Sequence, residues 1–140
     1  MDVVCIGIRD SRKGDEMTKT INCPSEAQEQ AALFQWIEWN TGNHPELKLC
    51  MHIPNGGYRN KREAHNLKMQ GVKPGVPDIF LPVARKGYHG IFIELKRQKG
   101  GKLSESQKEW LDALFNQGYL AVRCDGADEA ISTLERYLKI

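Results

Sequence analysis

Asp78 follows a proline in the segment Gly75-Val76-Pro77-Asp78, and after fifteen intervening residues comes Glu94-Leu95-Lys96. In a strand, residues two apart project to one face. Glu94 and Lys96 therefore point together, while Ile93 and Leu95 point away. If Asp78 starts one strand and Glu94 lies near the end of the next, a hairpin between them gathers two carboxylates and one ammonium. Phosphodiester hydrolysis calls for such a set. Carboxylate oxygens hold a hard divalent cation such as Mg²⁺ or Mn²⁺. The cation polarises the phosphate and lowers the pKa of a bound water. The lysine can orient that water or offset charge building on the phosphate. The Leu95 backbone carbonyl, between the two functional side chains, is a further candidate ligand. A structural reading competes: Asp78 as a turn acid, and Glu-x-Lys as a surface pair. Against it, Glu94 lies within the apolar run Ile91-Phe92-Ile93-Glu94-Leu95, where a charge is costly unless it has a partner.

The elements that must position these residues can be read along the chain. Ser25 is a good N-cap, and Gln28 completes a capping-box pattern. Ala32, Leu33, Trp36 and Ile37 recur at helical spacing, and Thr41-Gly42-Asn43 ends that helix. Leu47 to Ile53 reads as a strand, closed by Pro54-Asn55-Gly56-Gly57. Lys61 to Gln70 reads as a helix stopped by Gly71. Asp78 to Ala84 is of strand length, and Pro82 limits it or puts it at an edge. Gly90 to Arg97 is the clearest strand, joined to the previous one through a turn near Gly87. Ser104 caps a helix to Asn116, with Trp110, Leu111 and Leu114 facing inward. Tyr119 to Cys124 is a last strand and Asp128 to Leu138 a last helix. The class is α/β, one mixed sheet flanked by helices. Before Pro24 the reading is weak: Val3 to Ile8 suits a short strand, Ser11 to Thr20 is polar, and Met17 is an alternative start. Residues 1–20 are thus set apart as an extension without an assigned role, and 21–140 as the domain.

The totals fit one soluble domain: 140 residues, 40% hydrophobic and 27% charged. No segment has the apolar length of a membrane span. The opening ten residues are too short and too acidic for a secretory leader, so the expected location is the cytoplasm. Net charge is only +2, but its distribution is uneven. Arg59, Lys61, Arg62, Lys68 and Lys73 form one basic stretch. Arg85, Lys86, Lys96, Arg97, Lys99 and Lys102 form another. A basic middle flanking two acids suits a phosphate-binding site with a metal, and equally suits solvated loops. Cys5, Cys23, Cys50 and Cys124 lack metal-ligand spacing against one another or against His44, His52, His65 and His89, so reduced and mostly buried thiols are expected. Trp36, Trp39 and Trp110 fall on apolar helix faces and are expected in the core.

The run from Ser25 to Leu138 resembles the virus-type replication-repair nuclease (VRR-NUC) domain, a branch of the PD-(D/E)xK superfamily. The resemblance is carried by Glu29-Gln30 before Leu33-Phe34-Gln35-Trp36, Ile53-Pro54-Asn55-Gly56-Gly57, and Lys68 through Gly71-Val72-Lys73-Pro74 to Asp78. It continues in Ile93-Glu94-Leu95-Lys96, Ser104 to Leu114, and Asn116-Gln117-Gly118-Tyr119. It implies a restriction-endonuclease-like mixed sheet and a metal-dependent DNA endonuclease that uses Asp78, Glu94 and Lys96. It also recruits a first-helix glutamate. Glu29 is favoured because it shares the inward face of Leu33 and Trp36, with Glu26 as the alternative. Gln107 matches a glutamine placed near the metal site; without the resemblance it reads as a surface helix residue. Asn55, Arg59, Lys61, Arg62, Lys73 and Arg97 become the expected DNA contacts, with Tyr58 in the same loop. Stand-alone relatives of phage origin resemble homodimeric four-way-junction resolvases, so branched DNA and a second copy are the expected partners, with no membrane and no small-molecule substrate. The rivals are a sequence-specific or restriction-type nuclease of this fold, for which no large groove-reading insertion is evident, and a DNA-binding accessory domain without catalysis.

Overall fold

A computed structural model describes residues 22–55 and 59–140. The strand read at Val3 to Ile8, the polar stretch to Thr20, Met17, Cys5 and the Gly56-Gly57-Tyr58 part of the turn lie outside these residues. Four helices and four strands follow in the order α1 (Glu26–Asn40), β1 (Met51–His52), α2 (Lys61–Met69), β2 (Ile79–Leu81), β3 (Ile91–Lys96), α3 (Glu105–Asn116), β4 (Leu120–Asp125) and α4 (Ala127–Leu138). The strands form one mixed sheet in the spatial order β1-β2-β3-β4. The first three are antiparallel neighbours, and β4 runs parallel to β3. A parallel neighbour requires a crossover connection, which α3 supplies.

Local chemistry sets the boundaries. The Ser25 hydroxyl accepts from the Gln28 N–H while the Gln28 side chain accepts from the Ser25 N–H, a reciprocal cap that starts α1. Ser104 and Gln107 repeat it at α3. The hairpin between β2 and β3 closes through Lys86 and Gly87, both at positive φ (52° and 82°), the two-residue geometry that matches strand twist. β2 stops at Leu81 because Pro82 has no N–H to extend the ladder.

One segment departs from the expected strand at Leu47 to Ile53. Pro45–Leu49 is a short 3₁₀ helix, and only Met51 and His52 pair with β2. The period-two alternation of Leu47, Leu49, Met51 and Ile53 imitates a strand, yet Leu47 is fully buried while Leu49 and Met51 are largely exposed. Pro45, with its fixed φ and missing N–H, suits the first position of a helical turn.

The core lies on one face of the sheet. Ile79 and Leu81 from β2, and Ile91, Ile93 and Leu95 from β3, pack against Leu33 and Ile37 of α1 and Ala130, Leu134 and Tyr137 of α4. Each buried leucine or isoleucine among them contributes roughly 1.5–3 kcal/mol by leaving water. The opposite face carries Phe80 stacked on Phe92 at 4.1 Å, with Tyr119 edge-on. It is only partly covered, since α3 has no fully buried residue. The expectation of three core tryptophans holds in part: Trp36 and Trp110 are half-buried, but Trp39 is 73% exposed. Two residues past Ile37, it points to the opposite side of α1 from the Leu33–Ile37 stripe. Cys23, Cys50 and Cys124 are free thiols, Cys124 buried and the other two half-buried. Among the described residues no helix is long and apolar enough to cross a membrane.

Candidate active site

All six residues of β3 are buried, including Glu94 and Lys96. Strand alternation puts Phe92, Glu94 and Lys96 on the partly covered face. The register of β2 against β3, Ile79 opposite Ile93, continues one step to set Asp78 opposite Glu94 and a second to set Pro77 opposite Leu95. Directly opposite residues share a face with Cβ atoms about 4.5–5.5 Å apart, so the pairing that builds the sheet also brings the two carboxyl groups together.

Pro77 has a further effect. In an antiparallel ladder the residue opposite Leu95 would exchange two hydrogen bonds with it. Proline has no N–H to offer the Leu95 carbonyl, and the Leu95 N–H instead donates to Asp78 Oδ2 at 3.0 Å. Leu95 thus fixes the aspartate with its N–H, and its carbonyl faces a residue that cannot donate to it.

Glu94 Oε1 accepts from Lys96 Nζ at 2.8 Å and from Gln107 Nε2 at 2.7 Å. Glu94 Oε2 is buried and has no hydrogen-bond partner among the described residues. Burial pushes the Glu94 carboxyl up to about 7; the Lys96 contact opposes this and the neighbouring Asp78 adds to it. Asp78 is also raised, mainly by burial, against the Leu95 N–H and the nearby Lys96 and His52 charges. Two adjoining carboxyls with raised proton affinity and an unpartnered buried oxygen form a place that favours positive charge. The donors are hard oxygens, which suits a small divalent cation that retains several waters. Among the described residues no three His, Cys, Asp or Glu side chains converge on one point. The ligands this structure offers are two carboxylates and the Leu95 carbonyl.

The two first-helix glutamates are placed differently. Glu26 Oε2 lies 4.0 Å from Lys96 Nζ, with a half-exposed side chain. Glu29 is 4% exposed, and its Oε2 accepts from the Ala127 N–H at 2.8 Å, at the first turn of α4. Its carboxylate meets the positive end of that helix. Glu26 therefore stands beside the lysine, while Glu29 joins α1 to α4.

Gln107 reaches the site because it plays two roles at once. Its Oε1 caps the helix through the Ser104 N–H, which leaves Nε2 free to donate to Glu94. Gly75 brings α3 and the Asp78 loop together: at φ +86° its Cα faces Ser106, and an added Cβ would lie 2.7 Å from the Ser106 backbone. Of the expected DNA contacts, Asn55 and Arg59 are half-buried, while Lys61, Arg62, Lys73 and Arg97 are exposed. Asn55 and Arg59 line a groove of about 360 Å³ with Ala64, Leu67, Lys68 and Val72.

Sequence reasoning missed two groups. His52 lies beside Asp78, its Nδ1 at 2.9 Å from the Asp78 carbonyl. Arg123 and Asp125 lie across from Glu94 and Lys96 in the parallel ladder. No local signal marks Arg123 and Asp125, because a parallel register is set by the crossover and not by a turn.

The VRR-NUC domain profile matches residues 24–128. Among solved structures, a chain described as a VRR_NUC domain protein superposes with a TM-score of 0.72 at 30% sequence identity, covering 85% of this chain and 92% of that one. A search of curated proteins found no match. Asp78, Glu94, Lys96 and Gln107 all fall within the profile match. Because the profile spans well over half of the chain and the solved relative shares its fold almost from end to end, the chain belongs to the VRR-NUC family, whose members are nuclease-type DNA-processing domains.

Proposed function

We propose that the protein is a divalent-metal-dependent DNA endonuclease that hydrolyses phosphodiester bonds, acting on branched DNA such as a four-way junction. The observation that carries this reading is the buried, unpartnered Glu94 Oε2 beside the Asp78 carboxyl. Asp78, Glu94 and the Leu95 carbonyl would hold Mg²⁺ or Mn²⁺. When bound, such an ion supplies Lewis-acid polarisation of the phosphate and a more acidic water. The rest is done by the chain. Lys96 holds its ammonium at the carboxylate pair, where it orients the attacking water and offsets charge on the phosphate. Gln107 fixes one oxygen of Glu94, so that the other faces the ion site. Glu26 adds negative charge near the lysine. Arg59, Lys61, Arg62, Lys73 and Arg97 grip backbone phosphates, which position DNA without reading its sequence. Asn55 shapes the loop between them. Cutting both strands of a junction symmetrically needs two active sites, so the working form is a two-fold homodimer.

The test is incubation with a four-way junction, a 5′ flap and linear duplex, each with Mg²⁺, Mn²⁺ or chelator. Paired cuts in the junction with either ion, and none with chelator, are expected. Wild-type protein that binds all three and cuts none with either ion would overturn the enzyme reading. Equal cutting of linear duplex would overturn the junction preference. Light scattering of the eluting protein at micromolar concentration tests the dimer.

A further inference from the structure

We infer that Arg123 is a positioning residue for Lys96, acting through Gly101 as a clamp on the lysine stem. Arg123 lies on β4 opposite Glu94, and Asp125 lies opposite Lys96. These four side chains share one face of the sheet. The Arg123 guanidinium spans two partners: Nε donates to Asp125 Oδ1 at 2.8 Å, and Nη2 donates to the Gly101 carbonyl at 2.9 Å. Gly101 belongs to the loop after β3, twenty-two positions earlier in the chain. There it lies flat on the lysine: an added Cβ would stand 2.8 Å from Lys96 Cβ and 3.3 Å from Cγ.

Lys96 is consequently 7% exposed although it lies on the partly covered face. Its ammonium is directed onto Glu94 Oε1. The backbone on its other side is also held, since the Gly126 N–H donates to the Lys96 carbonyl at 2.8 Å. A lysine stem has four rotatable bonds and loses them at an entropic cost. Something must hold it for the ammonium to meet the same point in every turnover. The loop from Arg97 to Leu103 carries three lysines or arginines and two consecutive glycines, so its own chemistry favours solvent. Arg123 is the side chain that ties it down. The planar guanidinium presents its two donors in a fixed fork; an ammonium on a flexible stem does not hold that geometry.

The inference rests on the nuclease reading only for its effect on turnover, so the experiment has an arm that does not need cleavage. Full-length wild type, Arg123→Gln, Arg123→Lys and Gly101→Ala are acetylated with an N-hydroxysuccinimide ester without DNA or metal. Modification of Lys96 is then measured by peptide mass spectrometry against the exposed Lys108. Lys96 labelling is expected to rise fivefold or more in each variant that keeps a wild-type circular dichroism spectrum. In the cleavage arm, kcat is expected to fall tenfold or more with KM moving less than twofold. The Arg123→Gln, Gly101→Ala double variant should be no slower than the slower single variant, as expected when two residues act through one contact. Unchanged Lys96 labelling in folded Arg123→Gln overturns the clamp. So does a rise in KM at retained kcat that Arg123→Lys restores, which makes Arg123 a phosphate contact instead. If wild type fails to cut, the labelling arm still decides the clamp, and only the nuclease reading falls.

Discussion

The middle of β3 and the helix α2 carry charge under opposite conditions. In β3, Glu94 and Lys96 are buried, and Glu94 is met by a residue from the same strand and one from α3. In α2, every residue but the half-buried Leu67 is exposed, and the helix packs closely against no other element among those described. It is held by its Asn60 cap and the groove at Leu67. Under the proposed function the two regions solve different problems. Hydrolysis needs groups placed to fractions of an ångström in a site of low dielectric. Gripping a phosphodiester backbone needs only charge within a Debye length, and side chains free to follow the strand. A buried charge that is well placed gains chemical power and costs stability; an exposed one does neither.

Breaking the β3 side should have the largest effect. Asp78→Asn and Glu94→Gln are each expected to lower the cleavage rate by on the order of a thousandfold, the several kcal/mol that Lewis-acid chemistry supplies. DNA affinity measured with Ca²⁺ should stay close to wild type, since α2 and its flanks are untouched. Equal falls in affinity and rate would mean that the carboxylates hold the fold and not the reaction.

The same comparison gives a signed pH effect. The folded Glu94 carboxyl titrates at about 7 against an ordinary glutamate value of 4.5. Below about 4.5 it is neutral in both states, and its contribution to stability is fully present. Between 4.5 and 7 the unfolded chain gives up the proton while the folded chain keeps it, so that contribution is lost as pH rises. Metal-free wild type should therefore lose more Tm than Glu94→Gln between pH 5 and pH 8. Added Mg²⁺ should restore wild type at pH 8 and leave the variant unchanged. A calorimetric series in which the two proteins run parallel with pH would contradict this.

Pro77→Ala sharpens the account of the Leu95 carbonyl. It adds an N–H opposite that oxygen, so the Mg²⁺ concentration for half-maximal cleavage should rise severalfold while the rate at saturating Mg²⁺ changes little. On the α2 side, Lys61→Gln and Arg62→Gln should weaken DNA binding and reduce the salt slope by about 0.9 for each phosphate that is no longer neutralised, with kcat at saturating DNA unchanged. A change in folding stability beyond about 0.5 kcal/mol would contradict the loose attachment of α2. The smallest effect belongs to a residue in neither region. Lys86 sits at φ 52° in the tight hairpin turn, where asparagine is easier to accommodate. Lys86→Asn should raise stability by up to about 1 kcal/mol in chemical denaturation and leave cleavage as it was.

Much of the site was legible because its parts are local. Glu94 and Lys96 share a face by strand alternation alone; Asp78 reaches Glu94 because the pairing shifts by one residue between the Arg85–Tyr88 turn and the strands, a shift the turn residues do not announce. The caps at Ser25 and Ser104 were readable for the same reason: donor and acceptor lie three residues apart. The period-two pattern at Leu47 to Ile53 misled because alternation does not say whether both faces meet protein. Trp39 misled because an apolar residue two positions from a buried stripe stands on the solvent side of its helix.

Sequence by itself determined the shared face of Glu94 and Lys96, the class of fold and the order of the described elements, since periodicity and caps act over a few residues. Tertiary structure alone decided which groups stand around them. The parallel register of β4 set Arg123 opposite Glu94. The packing of α3 made the capping residue Gln107 a hydrogen-bond partner of Glu94 as well. The approach of α4 drew Glu29 to Ala127 and left Glu26 beside the lysine. Those contacts join segments that lie far apart along the chain. They depend on how the helices settle on the sheet, which no short stretch of chain encodes.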